Sequence, residues 1–211
     1  MITRRPLLAA TLAASAVAAA IALPSPAAAP AAIGQPAPNF TATDVNGRSV
    51  SLADFRGRTV VLEWFNPRCH FVRKHYDSLN MQRTQMDAAA KGVVWLTIAS
   101  AAPDSREFMP PAALAQWLQL QGATVTAALI DTEGRIGRAF GARVTPHMFV
   151  VDARGRLVYA GAIDSIASPH AADVERATNF VRQALSELAA GREVSLPLTR
   201  PYGCAIRFAD G

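Results

Sequence analysis

The sequence predicts an α/β domain. A central mixed β-sheet is flanked by helices, opened by an N-terminal β-hairpin and followed by an irregular C-terminal tail. Three observations carry this. The runs "RTVVLEWF" (58–65), "GVVWLTIAS" (92–100) and "TVTAALI" (124–130) are almost continuously apolar, as strands covered on both faces are. The segments between them have helical periodicity, the alternation that builds parallel strands with crossover helices. Two further apolar runs around Arg154-Gly155, in "HMFVVDARGRLVYAG" (147–161), close the sheet with an antiparallel hairpin.

The chain of 211 residues begins with Arg4 and Arg5, an uncharged Ala/Leu-rich stretch from Leu7 to Leu23 and a Pro/Ala tract. These are the n-region, h-region and small-residue tail of an export signal, with Ala29 a candidate cleavage position. "TRRPLL" also fits the twin-arginine pattern. The alternative is an uncleaved anchor, for which the apolar stretch is barely long enough. The expected organisation is an export signal and linker over 1–31, one domain over 32–190, and a tail over 191–211 that carries Cys204. The mature protein is expected in the periplasm or outside the cell, with no membrane contact once the signal is removed.

The remaining elements follow in order. "FTATDVNGRSVSL" places Asn46-Gly47 between two short alternating runs, a strong hairpin signal. A helix is expected over 69–90, with Val72, Tyr76, Leu79, Met86 and Ala90 on one face and Lys91-Gly92 as its stop. "APDSREFMPP" is a loop, "AALAQWLQLQG" a helix closed by Gly122, and "GRIGRAF" a short helix. "SPHAADVERATNFVRQALSELAAG" is read as the final helix, capped by Ser168, with Pro169 in its first turn, Gly191 at its end, and Val174, Ala177, Val181, Leu185 and Leu188 inward. The tail, "REVSLPLTRPYGCAIRFADG", has little regular pattern.

Charge narrows the function. The net charge of +5 includes Arg4 and Arg5, and the other basic residues are scattered. With no basic block interleaved with aromatics, nucleic acid is not an expected partner. There are only two cysteines, Cys69 and Cys204. That is too few for a disulfide framework, and the core is ample without one, so chemistry is the better use for them.

Three features carry a resemblance. They are the cysteine after the first core strand, "GARVTP" before the terminal hairpin, and the opening "DVNGRSVSLADFRGRTVVLEWF". Over residues 36–190 the chain resembles the thioredoxin superfamily in its redoxin or peroxiredoxin-like branch, the AhpC/TSA type. "NPRCHFVRKHY" with the terminal "TRPYGC" further resembles a bacterial group of redoxin proteins with a single motif cysteine. The resemblance implies a thioredoxin-like fold. Two departures matter. Thioredoxins carry Cys-x-x-Cys, whereas here the segment is Cys69-His70-Phe71-Val72, with His70 where relatives usually have proline. Peroxiredoxins place a Thr and a reactive Cys four and seven residues after their proline, and counting from Pro67 reaches Phe71 and Lys74.

The candidate chemistry centres on Cys69. A first-turn position, beside Arg68 and His70, favours the thiolate, the form that attacks disulfides and that peroxide oxidises. Glu63 interrupts an apolar strand. Burial would raise its pKa and suit it to proton transfer, and it stands where thioredoxins keep a buried carboxylate as proton acceptor. Thr145-Pro146 resembles the cis-proline loop that faces the active-site sulfur and offers backbone groups to a partner. His147 follows that proline and could tune the thiolate. Cys204, after Gly203, is the one internal candidate to resolve an intermediate on Cys69; otherwise an external thiol must do so. Trp64, Phe65 and Tyr76 read as core, and His75 and His170 as helix-surface residues.

The function expected is that of an exported thiol-dependent oxidoreductase, with no cofactor. Its partners would be a protein or small-molecule disulfide, or a peroxide, and an external thiol reductant. The alternatives are a peroxidase-like or redox-sensing protein forming a sulfenate at Cys69, and a copper-type metal-binding protein using Cys69 with His70 and His147. The last starts weakly, because the Cys-x-x-x-Cys of copper chaperones in the superfamily would need a thiol where Arg73 stands.

Overall fold

The structure is a computed structural model that describes residues 30–209. The export signal read in residues 1–31 lies outside them, apart from Pro30 and Ala31. The N-terminal hairpin pairs β1 (Thr41–Asp44) with β2 (Ser49–Ser51). Its turn is held by the buried Asp44 carboxylate, which accepts from the backbone N–H groups of Asn46 and Arg48. The three apolar runs form β3 (Val60–Trp64), β4 (Val94–Ala99) and β5 (Ala127–Ile130). A two-residue strand, β6 (Val144–Thr145), precedes the terminal hairpin of β7 (His147–Val151) and β8 (Leu157–Gly161). The main sheet has seven strands in the order β2-β1-β5-β4-β3-β7-β8. Strands β3, β4 and β5 are mutually parallel, and β7 runs antiparallel to β3.

Because side chains alternate along a strand, β3 sorts its residues between two cores. Leu62 and Trp64 join Leu96, Leu129, Phe140 and Phe149 on one face. Val61 and Phe65 join Val72, Tyr76, Met81, Trp95 and Val150 on the other. Glu63 shares the phase of the second set, and its carboxylate meets Tyr76 and Trp95 there.

The single helix expected over 69–90 is two, α1 (His70–Asp77) and α2 (Asn80–Ala90). The chain breaks at Leu79, whose φ is 60°. The Tyr76 carbonyl at the break accepts from Leu79 N–H and from the buried Gln82 side chain. The break re-phases the second helix. Met81, Gln85 and Ala88 turn inward, while Leu79 and Met86, expected inside, are 50% and 58% exposed, and Ala90 is exposed too.

Helices α3 (Pro111–Leu120) and α4 (Arg135–Phe140) lie where the sequence places them. The final helix is shorter than expected. Residues Ala171–Arg176 form a 3-10 turn, and α5 covers Phe180–Ala189. Its cap is Asn179, whose side chain accepts from Arg182 N–H, rather than Ser168. Val181 and Leu185 are buried as expected. No helix among the described residues is long and apolar enough to cross a membrane.

The tail carries one short strand, β9 (Cys204–Ala205), but it is fastened along its length. Pro197 and Thr199 exchange backbone hydrogen bonds with Ala160 of β8. Farther on, the Phe208 ring lies over Gly134 and Gly137, with the Arg138 guanidinium 5.0 Å from its centroid.

Candidate active site

Between β3 and α1 the chain turns through Asn66 and Pro67. The Asn66 side-chain oxygen accepts from Arg68 N–H, and its carbonyl from Cys69 N–H, both at 2.9 Å. Cys69 is the N-cap of α1, one position earlier than expected, and its carbonyl accepts from Arg73 N–H at 2.9 Å. It still faces the end of the helix where N–H groups lack intrahelical partners.

Cys69 is bonded to Cys204. The S–S distance is 2.15 Å, the Cα atoms are 5.9 Å apart, and 135 positions separate the two in sequence. Cys69 is 2% exposed and Cys204 half-buried. The Thr145-Pro146 bond is cis, and the Cys69 sulfur lies 3.1 Å from the Thr145 carbonyl oxygen. Within the disulfide that sulfur has no proton to donate. In the reduced protein the same oxygen is in place to accept from the thiol.

The tail also occupies the backbone of this loop. Strand β9 pairs antiparallel with β6, Thr145 opposite Cys204 and Val144 opposite Ala205, and Ile206 N–H continues the ladder to the Arg143 carbonyl. The approach requires Gly203. Its φ is +145°, and a Cβ there would lie 2.0 Å from the Thr145 oxygen. Gly203→Ala is therefore expected to lift the tail off β6, at a cost of about 1–3 kcal/mol in docking. The measure is the alkylation rate of Cys69 in the reduced protein, which should rise at least about fivefold. An unchanged rate would mean that the tail tolerates the methyl group.

Glu63 is wholly buried. Trp95 Nε1 donates to Oε2 at 2.8 Å, Gln85 Nε2 to the same oxygen at 3.3 Å, and the Tyr76 hydroxyl to Oε1 at 3.2 Å. Burial pushes the carboxyl up to about 7, and the three donors hold it down only in part. Neither Cys69 nor Thr145 is among its hydrogen-bond partners.

The histidines fall differently from the sequence expectation. His75, expected on the surface, is fully buried, and desolvation pushes it down to about 4. His147 is 4% exposed, stacked on Phe149 and pushed down to about 3, again by burial. His70 is exposed and stacks on Phe71. Cys69, His70 and His147 do not assemble a metal site: no group of three His, Cys, Asp or Glu side chains suited to an ion occurs among the described residues. The physical reasons are the disulfide that engages Cys69 and the sheet core that holds His147.

Sequence reasoning missed a buried polar cluster. Lys74 is 1% exposed, and its Nζ lies 3.1 Å from Asp164 Oδ2, 2.8 Å from the Ile166 carbonyl and 3.3 Å from the Tyr202 hydroxyl. Beside the disulfide, a small apolar cleft opens between Phe65, Pro67, Met109 and Ile206, next to a 3.8 Å ion pair of Arg207 with Glu107.

A helix-start cysteine after the first core strand, facing a cis-proline loop on a mixed sheet, defines a redoxin of the thioredoxin superfamily. The model of the AhpC/TSA family matches residues 33–160, and the chain belongs to that family. It is similar to the thiol-disulfide oxidoreductase ResA of Bacillus thuringiensis subsp. konkukian and of Bacillus cereus, 26% identical to each over 126 residues, 60% of this chain and 67% of theirs. Among solved structures, an uncharacterized conserved protein from Geobacillus kaustophilus shares the fold, with a TM-score of 0.72 and 24% identity over 85% of this chain and 94% of that one. The thioredoxin domain of a thiol-disulfide oxidoreductase from Bacteroides vulgatus gives 0.50, at 22% identity over 69% and 96%.

Proposed function

We propose that this chain is an exported thiol-disulfide oxidoreductase whose redox couple is Cys69 with Cys204. The observation that carries the reading is the bond between them, made across the cis-proline loop by the chain's only two cysteines. The name of the Bacillus relatives supports it, and the sequence of residues 1–31 supports export to the periplasm or beyond.

In the reduced protein the Cys69 thiolate attacks one sulfur of a partner disulfide. The partner's S–S bond breaks, one partner thiolate leaves, and a mixed disulfide forms on Cys69. The Cys204 thiolate then attacks the Cys69 sulfur and expels the second partner thiolate. The partner has gained two electrons, and the protein is left with the Cys69–Cys204 bond, which an external thiol reductant must reopen. Glu63, with its carboxyl near 7, is suited to take and return the thiol protons. The Thr145-Pro146 loop positions the sulfurs.

A second reading has its own support in the burial of Cys69 and the small cleft beside it, which favour a small oxidant. A hydroperoxide would convert the Cys69 thiolate to a sulfenate and leave as an alcohol. Cys204 would then condense with the sulfenic acid, releasing water and forming the same disulfide. Against it, the position counted for a peroxidase cysteine is Lys74, buried in its pair with Asp164. The deciding experiment offers the reduced protein a disulfide-bonded peptide or hydrogen peroxide and follows Cys69–Cys204 formation by mass spectrometry. The peptide is expected to react faster, with Cys204→Ser trapping it on Cys69. Faster reaction with peroxide, and no trapped peptide, would overturn the first reading.

A further inference from the structure

The tail meets helix α1 at two places. Cys204 meets Cys69 at the N-cap, and Tyr202, two residues earlier, reaches Lys74 and His75 farther along the same helix. The Tyr202 hydroxyl is saturated there. It donates to Asp164 Oδ1, accepts from Lys74 Nζ at 3.3 Å, and lies 3.2 Å from His75 Nε2. The Asn80 side-chain amide is 2.8 Å from His75 Nδ1 and donates to it, which leaves the ring proton on Nε2 to point at Tyr202. One donor and two acceptor sites are all that a hydroxyl has, and all three are used. The ring packs edge-on to Phe71, at 5.6 Å.

We propose that Tyr202, seated in the Lys74–His75–Asp164 socket, is the positioning residue of the resolving sulfur: it keeps Cys204 over Cys69 while the disulfide is open. The inference rests on the reading of Cys69 and Cys204 as the redox couple. None of the socket's contacts involves a sulfur, so none is broken by reduction. Lys74 and His75 of the socket ride on the helix that Cys69 caps. Asp164 closes the socket from the segment after β8. The tail's two contact points on that helix are separated by Gly203 alone, so the socket fixes the register of Cys204. A buried ion pair is a poor source of stability; the role proposed for this one is to set geometry. With the tail already docked, attack on an intermediate at Cys69 is an intramolecular step at high effective concentration. Linkage runs both ways: closing the disulfide favours the socket, and filling the socket favours the disulfide.

The test is the equilibrium with glutathione. One glutathione disulfide accepts two electrons from the dithiol protein, giving two glutathione thiols and the Cys69–Cys204 bond. Tyr202→Phe keeps the ring on Phe71 and removes the hydroxyl. Its equilibrium constant for disulfide formation is expected to fall about tenfold. Alkylation of reduced Cys204 is expected to quicken in parallel. His75→Asn, which leaves the tail sequence intact, should lower the same constant in the same direction, and it serves as the test if Tyr202→Phe folds poorly. Constants within twofold of the wild type in a folded variant would overturn the assignment. A wild-type pair that glutathione disulfide does not oxidise would instead overturn the functional reading beneath it.

Discussion

Cys204→Ser is expected to lower the stability of the air-oxidised protein by roughly 5 kcal/mol. The bond closes a ring of 135 positions. In the chain-entropy model, closure removes freedom from the unfolded ensemble in proportion to the logarithm of ring size, and this ring is large. At about 2–4 °C per kcal/mol for a domain of this size, the melting temperature should drop by about 10–20 °C. Urea unfolding of three samples checks it: oxidised wild type, reduced wild type and Cys204→Ser. The last two should coincide well below the first. Three coincident curves would mean that the ring is not closed in solution.

Glu63→Gln should have the second large effect, and its size depends on pH. The folded carboxyl sits near 7, raised by burial from the ordinary 4.5. Below about 4.5 both folded and unfolded chains hold the proton, and the group costs the fold nothing. As pH rises from 4.5 to 7 the unfolded chain ionises first, so wild-type stability is progressively lost. The loss reaches about 3 kcal/mol above pH 7. Glutamine has no proton to lose, and the Tyr76 hydroxyl can turn to accept from its amide. The variant should therefore gain about 3 kcal/mol on the wild type between pH 4 and pH 8. His75 and His147 act in the opposite sense. Their folded values lie below the ordinary 6.5, so their contribution is lost as pH falls through the window beneath it. Both proteins share that loss, and it cancels in the comparison. Denaturant unfolding at the two pH values measures the difference; a gain below about 1 kcal/mol would show that Glu63 is not held in its neutral form.

The central strands were legible because a strand covered on both faces records its burial in its own composition, as "VVLEW" and "VWLTIA" do. Cys69, Glu63 and Thr145-Pro146 were legible by position, each at a junction or an interruption that local pattern marks. Cys204 could be named as the partner sulfur, but the fastening of its tail could not be read. The socket explains why. Lys74 and His75 look like the solvated face of a helix, and the residues that bury them, Asp164 and Tyr202, stand 90 and 128 positions beyond Lys74. Pairings at that separation leave no local trace. The break at Leu79 was hidden for a related reason. No glycine or proline announces it, and the side chain that caps the freed carbonyl, Gln82, reads as an ordinary helix residue. In the last helix the Ser168-Pro169 signal outweighed the cap that the chain uses, Asn179.

Strand β8 ends the seven-stranded sheet, and such a border is normally a liability, since its open backbone invites a strand from another molecule. Here the border is sealed in two halves. Gly34 and Gln35 bond to Leu157, and Pro197 and Thr199 bond to Ala160. The second half of the seal belongs to the same tail that carries Tyr202 and Cys204. Placement of the resolving sulfur and protection of the sheet margin thereby depend on one piece of chain. Whatever frees the tail also bares half of an apolar sheet margin, so the fastening that serves the sulfurs also guards the protein against strand-to-strand association.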